Sequence, residues 1–210
     1  MATATKTTKV SVQPKLVIPE AKLVTIPGIE LATTEIKVVG DSGLISHKWS
    51  EKAKAMMLAK QKKEATQGKA AKDPEADFLE SLYVIEGAAV VEHDPELGVI
   101  ATGAKYGFPS VAFKAAAVGA CRYVDGLKMT EVRGAFHIQG EFVEIDGVPV
   151  MREDMVRVGM GTADIRYRGE FDPWSATLPI QYNTRAISIE QIYNLFNIAG
   201  FGVGVGEWRP

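Results

Sequence analysis

Half of the chain's eight arginines fall within one short stretch, at Arg152, Arg157, Arg166 and Arg168. A guanidinium group binds phosphate through two parallel hydrogen bonds and also stacks on nucleic-acid bases. Arg166 and Arg168 are two residues apart, so they share one face of a β-strand. Acidic residues are interspersed among these arginines, and cross-strand ion pairs explain the pattern equally well. The stretch therefore predicts either a phosphate-binding surface or an internal network of ion pairs.

Two other segments carry residues that suit a nucleic-acid backbone. His47, Lys48, Trp49 and Lys52 combine hydrogen-bond donors with one ring that can stack on a base, although Trp49 suits a partly buried anchor equally well. Near the C-terminus, glycines alternate with other residues over 200–206. Neither a phosphate-binding P-loop nor a dinucleotide fingerprint fits this context, since a helix precedes the glycines and Lys-Ser/Thr does not follow. The segment is predicted to pack closely on a sheet or to meet a polymer backbone.

Residues for catalysis are sparse. The three histidines are far apart in sequence without metal-ligand spacing, and Cys121 lies among alanines, where burial is expected. Nucleophile, base and orienting group do not assemble in any motif. The sequence therefore predicts a protein that is not an enzyme and holds neither a cofactor nor a metal.

The composition of the 210 residues is that of a globular protein, with 46% hydrophobic residues and one cysteine. It excludes a disulfide-stapled scaffold and a wholly disordered chain. The first ten residues lack a secretory signal, which favours a reducing, cytosolic setting. Charge is uneven: residues 1–72 hold 13 lysines, no arginine and six acids, whereas residues 73–210 carry a net charge of −9. The basic part suits phosphates or an acidic neighbour, or is simply a solvated lysine-rich surface.

The elements that must position these residues are predicted from local patterns. Three prolines predict an extended arm over 1–30, either disordered or lying across a neighbouring subunit. Helices are expected over 49–67, from Asp73-Pro74 onward, over 111–123 and from Ser188 onward, where Gln191 completes a capping box. Strands are expected over 33–40, 131–133, 136–138, 142–145 and 175–182, with a hairpin formed by 151–158 and 164–168.

This order of elements indicates a single α+β domain over 31–210. Helices would cover one face of an antiparallel sheet, with a helical insertion and an inserted β-hairpin at about 150–170. A ferredoxin-like arrangement accommodates the order.

Both ends of the predicted domain resemble a known superfamily. A first strand leads through Gly40-Asp-Ser-Gly-Leu-Ile-Ser-His47 into a helix, and a last strand and helix lead into Gly200-Phe-Gly-Val-Gly-Val-Gly-Glu-Trp-Arg209. These features resemble the RAMP superfamily, which includes ferredoxin-like backbone and processing subunits of CRISPR effector complexes. The chain also resembles, over most of residues 33–210, a group of phage and prophage proteins.

The resemblance implies a phage-type subunit that polymerises along single-stranded RNA or DNA without cleaving it, in the host cytoplasm and not at a membrane. The N-terminal arm would lie on a neighbouring subunit. The superfamily has a closing strand after the glycine-rich loop, and here that strand would come from a partner or from residues beyond Pro210. The predicted nucleic-acid contacts are His47, Lys48, Trp49, Lys52, Arg133, Arg152, Arg157, Arg166, Arg168, Gly202 and Gly204. The alternative is a phage assembly protein, or an inhibitor of a host defence, that self-associates without nucleic acid.

Overall fold

In the computed structural model, residues 26–64, 71–158, 161–207 and 209 are described, and they contain one large antiparallel sheet and five α-helices. The nine strands are β1 (Leu31–Val39), β2 (Leu44–Ser46), β3 (Tyr83–Asp94), β4 (Gly98–Pro109), β5 (Phe136–Ile138), β6 (Phe142–Asp146), β7 (Pro149–Val158), β8 (Thr162–Phe171) and β9 (Ser175–Asn183). The helices are α1 (Glu51–Gln61), α2 (Pro74–Glu80), α3 (Ser110–Ala120), α4 (Met129–Ala135) and α5 (Ile189–Gly202), with a 3₁₀ turn at Cys121–Tyr123.

The strands follow the order β1-β9-β6-β4-β7-β8-β2, with β3 paired to β4 and β5 paired to β9. Every pairing is antiparallel, and β1 pairs with β9 in nine successive residue pairs. Ile36 is buried while Glu35 and Lys37 are exposed, which is the alternation expected of a strand with one covered face. The mixed α/β composition and the antiparallel sheet confirm the coarse prediction of fold class.

Helices α3 and α5 pack against each other over the core. Ala117 and Ala120 of α3 are fully buried, and such small side chains allow a neighbouring helix to approach closely. Ser188 and Gln191 form the predicted capping box at the start of α5. The buried face of α5 contains Ile192, Leu195 and Ala199, whereas Tyr193, which directly follows Ile192, is 54% exposed.

Several predicted elements differ from the observed ones. The strand predicted at residues 131–133 is wrong, because these residues lie in α4, where Val132 and Ala135 are buried three residues apart on one helix face. The long hairpin of β3 and β4 was not predicted at all. Its alternation is broken by two irregularities in the pairing, between Val84 and Glu86 and between Gly87 and Val90.

The predicted hairpin is present as β7 and β8, and its base belongs to the main sheet. Val150 of β7 pairs with Ile100 of β4, and β8 pairs with all of β2. Toward the other end of the hairpin, Met155 is 76% exposed. The base of the hairpin is therefore part of the main sheet, and the other end of the hairpin extends away from the sheet.

Helix α1 is shorter than the predicted 49–67 and begins after Ser50, whose hydroxyl accepts a hydrogen bond from the amide of Ala53. Residues 65–70 lie outside the described part of the chain, as do residues 1–25 of the predicted N-terminal arm. Residues 26–30 form neither helix nor strand and are exposed.

Candidate functional site

A basic groove lies between α3, α4 and the end of α5. Its volume is about 670 Å³, and its lining includes Lys114, Arg122, Arg133 and Arg209. None of the described residues that line it is acidic. The basic groove is therefore a concave surface with four cationic side chains on its walls, which is the geometry expected for an anionic ligand.

Three elements bring these cations together. Lys114 and Arg122 are eight residues apart along α3 and the 3₁₀ turn that follows it. Arg133 is exposed on α4, opposite the buried Val132 and Ala135. Because residues of α4 are anchored to the core by that buried pair, Arg133 is held at the groove rather than left on a free loop.

The glycine-rich end of α5 forms the remaining wall. The phenolic hydroxyl of Tyr123 donates to the carbonyl oxygen of Gly202 at 3.0 Å, and a Cβ at Gly202 would lie 3.1 Å from the Tyr123 ring. Gly204 has a φ of 66°, a conformation that glycine adopts without steric cost. These glycines let the chain turn back beside α3, and Arg209 then lines the groove. The two glycines that the sequence singled out, Gly202 and Gly204, are thus placed with Arg133.

The four cations of the groove make no ion pair with any part of the chain that the structure describes. Burial lowers the pKa of Lys114, and the neighbouring Arg133 guanidinium lowers it further. The Lys114 ammonium lies 5.9 Å from the centre of the Phe136 ring, so a ring face supplies part of its stabilisation. Like charges that lack carboxylate partners are stabilised when an anion binds between them.

A second depression of about 600 Å³ adjoins the basic groove, since Val111 and Lys114 line both. Its other walls include His137 and the rings of Tyr83 and Phe142, whose centroids are 5.5 Å apart. The exposed side of α3 therefore presents cations toward one end and aromatic rings toward the other. This combination is typical of surfaces that hold single-stranded nucleic acid.

The arginines of the β7–β8 hairpin have different surroundings. Asp154 accepts hydrogen bonds from Arg152 Nε at 2.8 Å and from Arg168 Nη1 at 3.2 Å, and Glu170 accepts from Arg152 Nη1 at 2.9 Å. Arg166 Nε lies 4.0 Å from a carboxylate oxygen of Asp164. These contacts match the interpretation of the arginine-rich hairpin as an internal network of ion pairs.

Arg168 is not available as a surface contact. Only 2% of the residue is exposed, and its Nε is buried without a hydrogen-bond partner among the described atoms. In this structure Arg168 is therefore not placed to reach a bound strand, because its guanidinium is held in the interior by Asp154. Arg152 is half-buried by its own ion pairs, whereas Arg157 is exposed and makes no ion pair with the residues described.

The predicted contacts around His47 lie outside the basic groove. Nδ1 of His47 is 3.4 Å from Oε1 of Glu207, and burial, followed by the nearby Arg168 charge, lowers the histidine pKa. The backbone amide of Lys48 donates to the Ser81 carbonyl, and Trp49 is 58% exposed. Lys52 is exposed on α1.

Sequence reasoning missed most residues of the two depressions. Lys114, Arg122 and Arg209 were not selected, and neither were Tyr83, Phe142 and His137. A signal was present in α3, because Lys114 is the only charged residue in an otherwise apolar and small-residue helix and Arg122 follows it directly after the helix. A charged side chain in such a helix must lie on its exposed side, which identifies that side as basic.

No protein-family model, curated protein or solved structure matches the chain. Within the described ranges, no group of three or more His, Cys, Asp or Glu side chains could hold a metal ion. No described helix is long and apolar enough to span a membrane.

Proposed function

We propose that this protein binds single-stranded nucleic acid along the exposed side of α3 and does not cleave it. The observation that carries the proposal is the set of four groove cations that lack carboxylate partners among the described residues. Phosphates would occupy the basic groove, and Tyr83 and Phe142 would contact bases at the adjoining depression. A single strand fits better than a duplex, because only unpaired bases expose their faces to aromatic side chains.

The remaining predictions from the sequence belong to the same proposal. The protein would be a phage-type oligomer acting in the host cytoplasm, with a ferredoxin-like, RAMP-like sheet at its centre. The packing of α3 and α5 over the antiparallel sheet supports that architecture. Arg157 on the hairpin and His47, Lys48 and Lys52 near α1 would be secondary contacts at most, since none of them lines the basic groove.

Salt dependence of binding tests the proposal. A labelled 20-nucleotide single strand would be titrated with nuclease-treated protein at several salt concentrations, with anisotropy as the readout. We expect affinity to fall steeply with salt, and we expect the Arg122→Gln/Arg133→Gln variant to lower the log–log slope by about 1.4, since each lost phosphate contact removes about 0.7.

The matched control is Arg166→Gln/Arg185→Gln, which removes the same charge from residues that do not line the groove and that pair with Asp164 and Glu30. Its slope should match that of the unmodified protein. Undetectable binding at low salt, or equal losses in both double variants, would contradict the proposal.

A second candidate is an assembly or inhibitor protein that self-associates without nucleic acid. The exposed apolar residues of α1 favour it, because an isolated apolar surface is often an interaction surface. The absorbance ratio at 260 and 280 nm across a sizing column, before and after nuclease treatment, separates the two candidates. A large species that carries nucleic acid and shrinks after digestion supports the first candidate, and a nuclease-resistant, protein-only oligomer supports the second.

A further inference from the structure

Helix α1 has no buried residue, although it carries several large apolar side chains. Met56, Met57 and Leu58 are each about half exposed, and Trp49 just before the helix is more exposed still. Lys52, Met56 and Lys60 follow at intervals of four residues and therefore share one face. We call this helix and Trp49 the basic helix surface. Exposed apolar side chains interspersed with lysines, and left without a covering element among the described residues, are suited to docking on an acidic, apolar partner.

The end of the β3–β4 hairpin has the opposite charge. Glu92, Asp94 and Glu96 lie there, and residues 90–98 include no lysine or arginine. Glu75 of α2 joins them, since its carboxylate is 3.5 Å from Nε2 of His93. Val90 and Leu97 are about half exposed among these acids. We call this set, Glu75 and residues 90–98, the acidic tip.

The structure of the tip keeps its charge exposed and fixed. Asp94 accepts hydrogen bonds from the amides of Glu96 and Leu97, both at 2.8 Å, which closes the turn. Those hydrogen bonds lower the pKa of Asp94, so the carboxylate stays ionised. The tip is thus a preorganised acidic surface that also exposes apolar side chains.

We propose that the basic helix surface of one copy docks on the acidic tip of a second copy. The two surfaces have opposite charge and each carries exposed apolar side chains, so each supplies what the other lacks. The contact joins different surfaces of the two copies. It is therefore heterologous, and it propagates into open chains or rings instead of stopping at a dimer.

The size of the surfaces limits the strength of this contact. Eleven helical residues span about 16 Å, which is short for a standard interface of about 800 Å² on each partner. The contact is therefore weak and salt-sensitive when copies are free. Copies bound to the same strand would be held at a high effective concentration, which strengthens their association without any new contact. The contact itself does not depend on the nucleic-acid binding proposed above.

Charge exchange tests the contact directly. Sedimentation velocity would be measured on nuclease-treated protein over a wide concentration range, at low and high salt. We expect Lys52→Glu/Lys60→Glu and Glu92→Lys/Glu96→Lys each to weaken self-association at least about tenfold, since each places like charges opposite each other. The chain that carries all four substitutions should self-associate again, because its two surfaces are once more opposite in charge.

Two controls separate this inference from the proposed function. Lys37→Glu/Lys128→Glu makes the same change in net charge at exposed residues outside both surfaces and should leave self-association unchanged. Arg122→Gln/Arg133→Gln should weaken strand binding and lower its salt dependence while it keeps self-association.

A protein that remains monomeric at every concentration would overturn the inference, as would a fourfold variant that fails to recover. Loss of strand binding without loss of self-association in Lys52→Glu/Lys60→Glu would assign α1 to nucleic acid instead. A compact monomer that opens when either surface is reversed would mean that α1 docks within its own chain, which also overturns the inference.

Discussion

Arg152, Arg166 and Arg168 of the β7–β8 hairpin each lie beside a carboxylate, whereas the cations of the basic groove have none among the described residues. The hairpin is the richer of the two in arginine, yet Asp154, Asp164 and Glu170 already pair with three of its four guanidinium groups, and only Arg157 has no ion pair among the described residues. The cations of the groove come from four places along the chain. They are Lys114 on α3, Arg122 on the 3₁₀ turn, Arg133 on α4 and Arg209 after α5. A surface suited to phosphate therefore needs cations that have no carboxylate partner after folding. The number of arginines in a segment of sequence does not predict how many of them will lack such a partner.

The two regions also differ in what their charges do for stability. In the hairpin, Asp154 and Arg168 are almost fully buried, and removing one partner leaves the other charge in the interior. In the groove, burial and the neighbouring Arg133 charge disfavour the charged form of Lys114, and an anion bound there would offset the repulsion. Residues of the first kind should therefore be sensitive in unfolding experiments, and residues of the second kind in binding experiments.

The largest expected effect is that of Asp154→Asn. This substitution leaves Arg168 buried without a carboxylate, and we expect the free energy of unfolding in urea to fall by about 3–5 kcal/mol. Strand binding by the folded protein should stay the same.

Two variants guard this prediction. Glu35→Gln on β1 removes an exposed carboxylate that makes no ion pair with the described residues and should have little effect. Should Asp154→Asn fail to fold, Asp154→Leu/Arg168→Leu should recover most of the stability, because replacing a buried ion pair by apolar groups is often nearly neutral. A small loss in Asp154→Asn would mean that the hairpin charges are hydrated after all.

The next effect comes from giving the groove the carboxylate that it lacks. Ala115 is exposed on α3 and lines the groove, so Ala115→Glu places an acid among the groove cations. We expect single-strand affinity at 0.1 M salt to fall at least about tenfold, because the new carboxylate competes with phosphate, while stability changes little. Ala115→Gln has a similar shape without the charge and should bind nearly as well. Equal losses in both variants would indicate that bulk at Ala115, and not its charge, blocks the strand.

Much of the fold was predictable because its signals are local. The alternation around Ile36 predicted β1, and Ser188 with Gln191 marked the start of α5. The signals failed where an element is short or irregular. Residues 131–133 alternate in polarity like a strand, but the seven-residue helix α4 is fixed by tertiary burial of Val132 and Ala135. In β3, irregular pairing interrupts the period of two that sequence analysis relies on.

The site was less predictable, since its residues meet only through the fold. Arg133, Gly202 and Gly204 were selected, but sequence gives no indication that they lie beside Lys114 and Arg122 of α3. Burial of Arg168 was equally hidden. Arg166 lies two residues away on the same strand and is half-exposed. Arg168 differs from Arg166 because it contacts Asp154, which also pairs with Arg152.

The smallest expected effect is that of Lys114→Met, in which removal of a lysine charge should raise stability slightly. Its surroundings lower the pKa of Lys114 in the folded protein, so the charged form is less stable there than in the unfolded chain. Lys114→Met keeps most of the aliphatic stem and removes that charge, and we expect stability in urea to rise by at most about 0.5 kcal/mol while strand affinity falls. The gain should shrink in 1 M salt, where the repulsion from Arg133 is screened.

Lys105 offers the matched comparison, because its hydrogen bond to Glu86 and the charge of Glu144 raise its pKa. Its charged form is thus favoured by folding, and Lys105→Met should lower stability slightly while leaving strand affinity unchanged. A shift of stability in the same direction in Lys114→Met and Lys105→Met would contradict this prediction. It would mean that the ion pairing of a lysine does not determine how its charge affects stability. Opposite shifts in stability, with binding lost only in Lys114→Met, would show that the groove retains an unfavourable charge for the sake of its ligand.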